Sequence, residues 1–234
     1  MRNVDERYVD GTYESQNPGW HDSDARWKAE QVTALLERNG LEPSSFCDVG
    51  CGTGGVLRAL SEVYGPQVRF AGFDVSDLVI EKARSLASSD IEFDLWGSTH
   101  ERDAFDIALV LDVVEHVPDY LGFLAELKGI SDSYVFHLPL DMNAQVVARR
   151  KPILEARKSV GHLHYFSKET ALASLSYAGF EPTDWMYTAS WRTVPDPTLG
   201  RRIFNRVRSG LFRKWPDKTV NALGGYSLLV LART

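Results

Sequence analysis

Two rhythms alternate along the chain. Short runs at 46–49, 68–73 and 91–95 predict strands, 105–111 is almost continuously apolar, as expected of a parallel strand buried on both faces, and 134–138 reads as another buried strand. Between them, apolar residues recur at helical spacing: Ala25, Val32, Leu35 and Leu36 before the first strand, Val56, Leu57, Leu60 and Val63 after it, then 78–86 and 120–127. Asp22 or Ser23 is expected to cap the first helix, and Asn39-Gly40 to end it. After Pro139 the alternation breaks over a segment containing Arg149-Arg150-Lys151 and Gly161-His162-Leu163-His164-Tyr165-Phe166, which reads as an insertion over the sheet. Ser167 opens a helix through Ala178, Gly179 closes it, and 180–191 reads as a sixth strand. A basic helical segment at 201–215 precedes a last strand at 226–231, and the two final strands are expected to form a closing hairpin. Strands and helices alternating at this spacing predict an α/β domain with a mostly parallel sheet and right-handed crossovers.

Composition adds bounds to that picture. A chain of 234 residues with 44% apolar and 25% charged positions is long enough for one substantial core, and its expected organisation is a single domain over 1–234. Cys47 and Cys51, beside a glycine-rich turn, form neither a zinc set nor a disulfide framework. The charged N-terminus has no signal-like apolar stretch and no run approaches a membrane span, so the expectation is a cytoplasmic protein. The net charge of −6 is unevenly spread: from Trp191 onward nine Lys or Arg face two Asp, a net +7, leaving −13 on the first 190 residues. So acidic a body argues against nucleic acid as a partner. The basic tail suits an anionic small molecule or peripheral contact with an anionic membrane, with a solvated face or docking onto the sheet as the plainer alternatives. The oligomeric state is left open.

The richest stretch is Asp48-Val49-Gly50-Cys51-Gly52-Thr53-Gly54-Gly55, a strand end, glycine turn and helix start. Glycines allow a sharp turn and close approach of a ligand to the backbone, and the helix N-terminus offers free N–H groups. Gly50, Gly52 and Gly55 also satisfy the spacing of a dinucleotide fingerprint, with Asp74 placed to hold ribose hydroxyls. A nicotinamide-dependent oxidoreductase is therefore one reading. Against it, Asp48 would repel a pyrophosphate but attract an ammonium group. The run Leu111-Asp112-Val113-Val114-Glu115-His116 adds acids where such sheets bind ligands.

These motifs together resemble the class I S-adenosylmethionine-dependent methyltransferases, especially the small-molecule branch similar to ubiquinone-biosynthesis enzymes. The resemblance covers about residues 44–190, with 226–231 matching the family's last strand. It implies a Rossmann-like, seven-stranded sheet of order 3-2-1-4-5-7-6, the last strand antiparallel, with helices on both faces. It further implies S-adenosylmethionine as cofactor. Asp48, Gly50, Cys51, Gly52 and Gly54 would meet its methionine moiety, Asp74 and Val75 its ribose, and Asp94 and Leu95 its adenine. Leu111 and Asp112, with His116, would lie at the methionine end.

Methyl transfer from a sulfonium is an in-line displacement that calls for alignment and exclusion of water and for no metal. A hydroxyl acceptor also needs a base. His162 and His164 are the candidate catalytic residues, since in an extended segment both would point to one face after the fifth strand. His137, within a strand, reads as a satisfied core histidine. Segments 139–166 and 192–222, with an N-terminal lid and helix over 1–40, are expected to shape the pocket for a small-molecule acceptor. The activity expected is transfer of a methyl group to a hydroxyl or amine of that acceptor. A catalytically silent adenosylmethionine-binding regulator is the alternative outside the enzymes.

Overall fold

The computed structural model describes residues 22–87, 90–97, 104–149, 151–189, 191 and 198–234. The described helices and strands, in chain order, are α1 (Ala25–Arg38), β1 (Ser45–Val49), α2 (Gly55–Tyr64), β2 (Arg69–Asp74), α3 (Asp77–Leu86), β3 (Ile91–Leu95), β4 (Phe105–Leu111), α4 (Tyr120–Glu126), β5 (Ser131–Pro139), α5 (Ala144–Arg149), α6 (Lys151–Ser159), α7 (Lys168–Tyr177), β6 (Glu181–Thr188), α8 (Leu199–Lys214), α9 (Pro216–Leu223) and β7 (Ser227–Arg233). They build one seven-stranded sheet of order β3-β2-β1-β4-β5-β7-β6. β1 to β5 are mutually parallel, and β7 runs antiparallel between β5 and β6. This is the Rossmann-like order and strand sense expected from the motifs.

The unbroken apolar runs are explained by two cores. Every residue of β1 is buried, because successive side chains feed opposite faces. Phe46, Phe70, Ile107, Leu109 and Val135 pack under Val32, Leu35 and Leu36 of α1, Leu57 and Leu60 of α2, and Ile80 of α3. Cys47, Ala71, Ala108, Val110, Tyr134 and Phe136 face the other way, against Phe123 and Leu124 of α4, Ala171 and Leu175 of α7, and Val220 of α9. No helix among the described residues is long and apolar enough to cross a membrane.

Three local expectations are refined. Asp22–Asp24 forms a 3-10 turn and α1 begins at Ala25, with Asp24 in the cap position but making no side-chain capping bond. The Asp24 carboxylate instead reaches Lys28, 3.4 Å away and one turn on. The last two strands pair antiparallel as expected, yet they are no tight hairpin: α8 and α9 lie between them. The insertion at 139–166 folds as α5 and α6, followed by an irregular stretch that begins at Gly161.

Ser167 does cap α7. Its side chain accepts from Thr170 N–H, and the Thr170 hydroxyl accepts from Ser167 N–H at 2.9 Å, a reciprocal box. Ser167→Ala should therefore lower unfolding free energy by about 1 kcal/mol in chemical denaturation; an unchanged midpoint would show that the helix end is held by packing alone.

Candidate functional site

The order 3-2-1-4 puts the reversal of chain direction across the sheet between β1 and β4, and ligands in such sheets bind beyond the carboxyl ends of the strands there. The glycine turn leaves β1 at this point. Gly50, Gly52 and Gly54 all have positive φ, at 81°, 55° and 77°. Glycine is also required sterically: a Cβ on Gly50 would lie 2.4 Å from Val113 Cγ2, and one on Gly54 would lie 2.4 Å from the Phe93 ring. The turn is tied to β2, since Gly50 and Cys51 N–H donate to Phe73 O at 2.7 and 3.0 Å. Cys51 turns its thiol into the core beside Gly72, where burial pushes its pKa well up and keeps it a thiol. Only its backbone lines the turn.

Four acids sit along this edge in different states. Asp74, at the end of β2, accepts from Gly52 N–H at 3.0 Å and Ser76 N–H at 3.1 Å, so its carboxyl is oriented by the turn it faces. Burial raises its pKa and these donors oppose the rise. Val75, half-buried, follows it. Asp94 accepts from Leu95 N–H at 2.8 Å and lies 3.6 Å from Arg84 at the end of β3. Asp48 is buried, and its Oδ1 has no hydrogen-bond partner among the described residues. Burial pushes it up to about 7, with the Lys28 ammonium pulling down and Asp74 adding to the rise.

Asp112, just beyond β4, is the one described non-glycine residue at positive φ, 56°. Its carboxylate bridges Lys28 Nζ at 2.9 Å and His137 Nδ1 at 2.7 Å, and His137 Nε2 meets Thr188 Oγ1 at 2.7 Å. Burial works against ionisation of Asp112, but His137 and Lys28 outweigh it and hold the carboxylate well below the usual range. Burial likewise pulls on the Lys28 ammonium, which Asp112 and Asp24 keep protonated. His137 thus has both ring nitrogens engaged, as a satisfied core histidine does. Leu111 ends β4 beside this network.

A second cluster follows. Glu115 and His116 close a 3-10 turn at Val114–His116. Glu115 is completely buried, and neither carboxyl oxygen has a hydrogen-bond partner among the described residues. Burial and then nearby Asp112 push its pKa well above the ordinary value, favouring the neutral acid. Its backbone carbonyl accepts from Leu163 and His164 N–H at 2.8 and 3.1 Å, which docks the post-β5 segment here. The His162 ring lies 5.0 Å from that of His116, and its Nδ1 is 2.6 Å from Asp141 Oδ2. His164 differs: its Nε2 lies 3.0 and 3.2 Å from the carbonyls of Val117 and Pro118, and its ring packs 4.7 Å from Tyr120. The two alternating histidines reach the same turn, but only His162 is paired with a carboxylate. Donor atoms of Glu115, His116 and His162 lie within 4.8 Å of one another, a spacing that can hold a divalent cation.

Lys28 and Asp141 escaped the sequence reading, and Glu115 was quoted in its motif without a role. Lys28 carries no motif signal, being a lysine on an amphipathic helix. Asp141, two residues past Pro139, had the signal of an acid just after a parallel strand. Residues 1–21 of the expected N-terminal lid lie outside the described residues, as do 192–197 of the second insertion.

Known proteins resemble this chain in sequence and in fold. The demethylmenaquinone methyltransferase of Lactococcus lactis is 32% identical over 109 residues, 43% of this chain and 42% of that protein. The ubiquinone biosynthesis O-methyltransferase of Pasteurella multocida is 28% identical over 153 residues, 56% of this chain and 62% of that protein. The matches thus span well under two thirds of the first relative's length and a little under two thirds of the second's. The solved magnesium protoporphyrin IX methyltransferase of Synechocystis, with bound S-adenosylhomocysteine, superposes with a TM-score of 0.58 over 89% of this chain and 82% of that one, at 16% identity, a likeness of fold. Residues 20–184, from the segment before α1 into β6 and including the glycine turn and both acidic clusters, match the family described as methyltransferase domain, and the chain belongs to that family.

Proposed function

We propose that the chain transfers the methyl group of S-adenosylmethionine to a hydroxyl or amine of a small-molecule acceptor. The observation that carries this reading is Asp48: a buried carboxyl with an oxygen unpartnered among the described residues, beside a turn whose three glycines all hold positive φ. Such a group suits an incoming ammonium and would resist a pyrophosphate. When bound, S-adenosylmethionine would supply an electrophilic methyl carbon, whose bond to sulfur breaks with the neutral thioether leaving as an acceptor oxygen or nitrogen lone pair attacks in line.

The chain's own residues divide the remaining work. Gly50, Gly52 and Gly54 turn the backbone sharply where the methionine moiety would pass, with Cys51 contributing backbone only. Asp48 meets its ammonium, and the backbone of Leu111 and Asp112 bounds the same end. Asp74, pre-oriented by Gly52 and Ser76, accepts from the ribose hydroxyls with Val75 beside it, and Asp94 and Leu95 border the adenine. Nδ1–H of His162 donating to Asp141 would leave Nε2 bare to take a proton from an acceptor hydroxyl as the new bond forms. His164, with Nε2 held by two carbonyls, fits a positioning role for the segment. His116 packs against His162 and shapes that side of the site. Acceptor choice falls to 1–40, 139–166 and 192–222. A cytoplasmic location fits two buried cysteines that are not joined in a disulfide.

Three outcomes test this reading. Calorimetry should show S-adenosylhomocysteine binding on the order of micromolar, with no comparable binding of NADH or NADPH, and Asp74→Ala should weaken it by about 1 to 3 kcal/mol. A preference for a dinucleotide would overturn the assignment of Asp48. Because the free protein holds Asp48 near pKa 7 and a ligand ammonium favours the ionised form, affinity should climb by up to about tenfold per pH unit as pH rises toward 7, then level off. That dependence should vanish in Asp48→Asn; a flat profile in the unmodified protein would remove the contact. Finally, His162→Ala should slow methyl transfer by about 10²- to 10⁴-fold in an acceptor screen while leaving S-adenosylhomocysteine affinity intact, with His164→Ala milder. Unchanged turnover in His162→Ala would exclude it as the base.

A further inference from the structure

Helix α8 is packed with its polar side inward. Leu199, Ile203, Val207 and Leu211 recur every fourth residue and form one stripe along Leu199–Lys214. That stripe faces water: Ile203 is 57% and Val207 54% exposed, whereas Asn205 and Arg208 are only 5% and 6% exposed. The inward side is specifically held. The Arg208 guanidinium lies 3.9 Å over the Trp191 ring, donates to Gly224 O at 3.2 Å, and donates to Asn205 Oδ1 at 2.7 Å. One turn on, Phe212 stacks on Tyr226 with ring centres 4.7 Å apart. Rotating the helix to bury its apolar stripe would strip these bonds from a buried guanidinium, so the stripe stays outside.

An apolar stripe kept in water by its own helix points to an outside surface. The charge around it says which kind. Arg206 and Arg213 lie along one edge of the stripe, exposed, in a row with exposed Arg202. At the C-terminal end Lys214 lies 4.5 Å over the ring of Trp215, itself 45% exposed. The helix carries six Lys or Arg and no Asp or Glu, against a net −6 for the whole chain. A second copy of the chain paired on this stripe would bring two such cationic rows together, which disfavours self-association.

We propose that α8 docks flat on an anionic lipid surface, its aliphatic stripe and Trp215 entering the headgroup boundary and Arg206, Arg213 and Lys214 meeting lipid phosphates. The acidic remainder of the protein would be repelled by the same surface, so α8 sets the docked orientation. This inference does not depend on the methyl-transfer reading.

The test is co-sedimentation of the full chain with vesicles of phosphatidylcholine alone and of phosphatidylcholine with about one third phosphatidylglycerol, at about 0.1 M salt. Partitioning onto the anionic vesicles should be stronger by about tenfold or more, and should fall by about tenfold in Val207→Glu and in Arg206→Glu/Arg213→Glu. Both variants should keep the thermal midpoint and S-adenosylhomocysteine titration of the unmodified protein, because the changed residues are exposed. Three outcomes would overturn the proposal: no binding to anionic vesicles, equal binding to neutral ones, or binding that Val207→Glu leaves untouched. A dimer in light scattering that Val207→Glu dissolves, without vesicle binding, would reassign the stripe to an interface between copies.

Discussion

The carboxylate of Asp112, half-buried between Lys28 and His137, is the contact on which the ligand edge of the sheet depends. A buried charge is costly unless paired, and pairing here recruits α1, β4, β5 and, through Thr188, β6. Removing one partner would leave the other charged groups unsatisfied, so the network fixes the N-terminal part of α1 at the carboxyl ends of the strands, while the rest of the helix packs on the sheet face. At the other end of α1, Arg38 donates to Asp184 of β6 at 2.8 Å, so the helix is tied to the sheet at both ends. The positive φ of Asp112 is the local cost of turning the chain out of β4 while keeping that carboxylate inward.

The electrostatics of the edge follow from this one pair. Asp112 takes the closest share of the Lys28 charge and stays ionised, so its neighbours must ionise less readily. Asp48, burdened by burial and by Asp74, sits near neutral pH, where the arrival of a cation can decide its state. Glu115, burdened by burial and by Asp112, is pushed toward the neutral acid. One carboxylate builds the scaffold, one is poised for a charged ligand, and one is held in reserve beside His116 and His162. Three acids along one edge of the sheet therefore differ by environment rather than by residue type.

Much of the architecture was legible in the chain. The apolar run at 105–111 matches β4, because a strand buried on both faces leaves a signal that surroundings cannot mask, and the alternation at 91–95 matches the edge strand β3, with Ile91 and Phe93 buried and Glu92 exposed. Ser167 and Gly179 marked the ends of α7 through local chemistry, a hydroxyl cap and a positive φ of 85°. The start of α1 was less legible, since the Asp24 side chain pairs with Lys28 instead of capping. The antiparallel pairing of β6 with β7 was legible, and so was the basic helix between them, expected at 201–215 and found as α8; α9 was not, because its eight residues carry too short a pattern to stand apart from the connection.

For the site, the sequence by itself determined the backbone requirement and the acids: glycines at 50, 52 and 54 admit conformations that side chains resist, and Asp48 and Asp74 fall at strand ends by simple counting. The tertiary structure alone decided which groups meet. Lys28 reaches Asp112 across 84 positions of sequence and Asp141 reaches His162 across 21, and it made His162 rather than His164 the carboxylate-paired imidazole. It also turned the apolar side of α8 outward, against what helical periodicity implies. Periodicity records only that a face is apolar, whereas the direction it faces depends on contacts from other parts of the chain, here Trp191, Gly224 and Tyr226 gripping the opposite side.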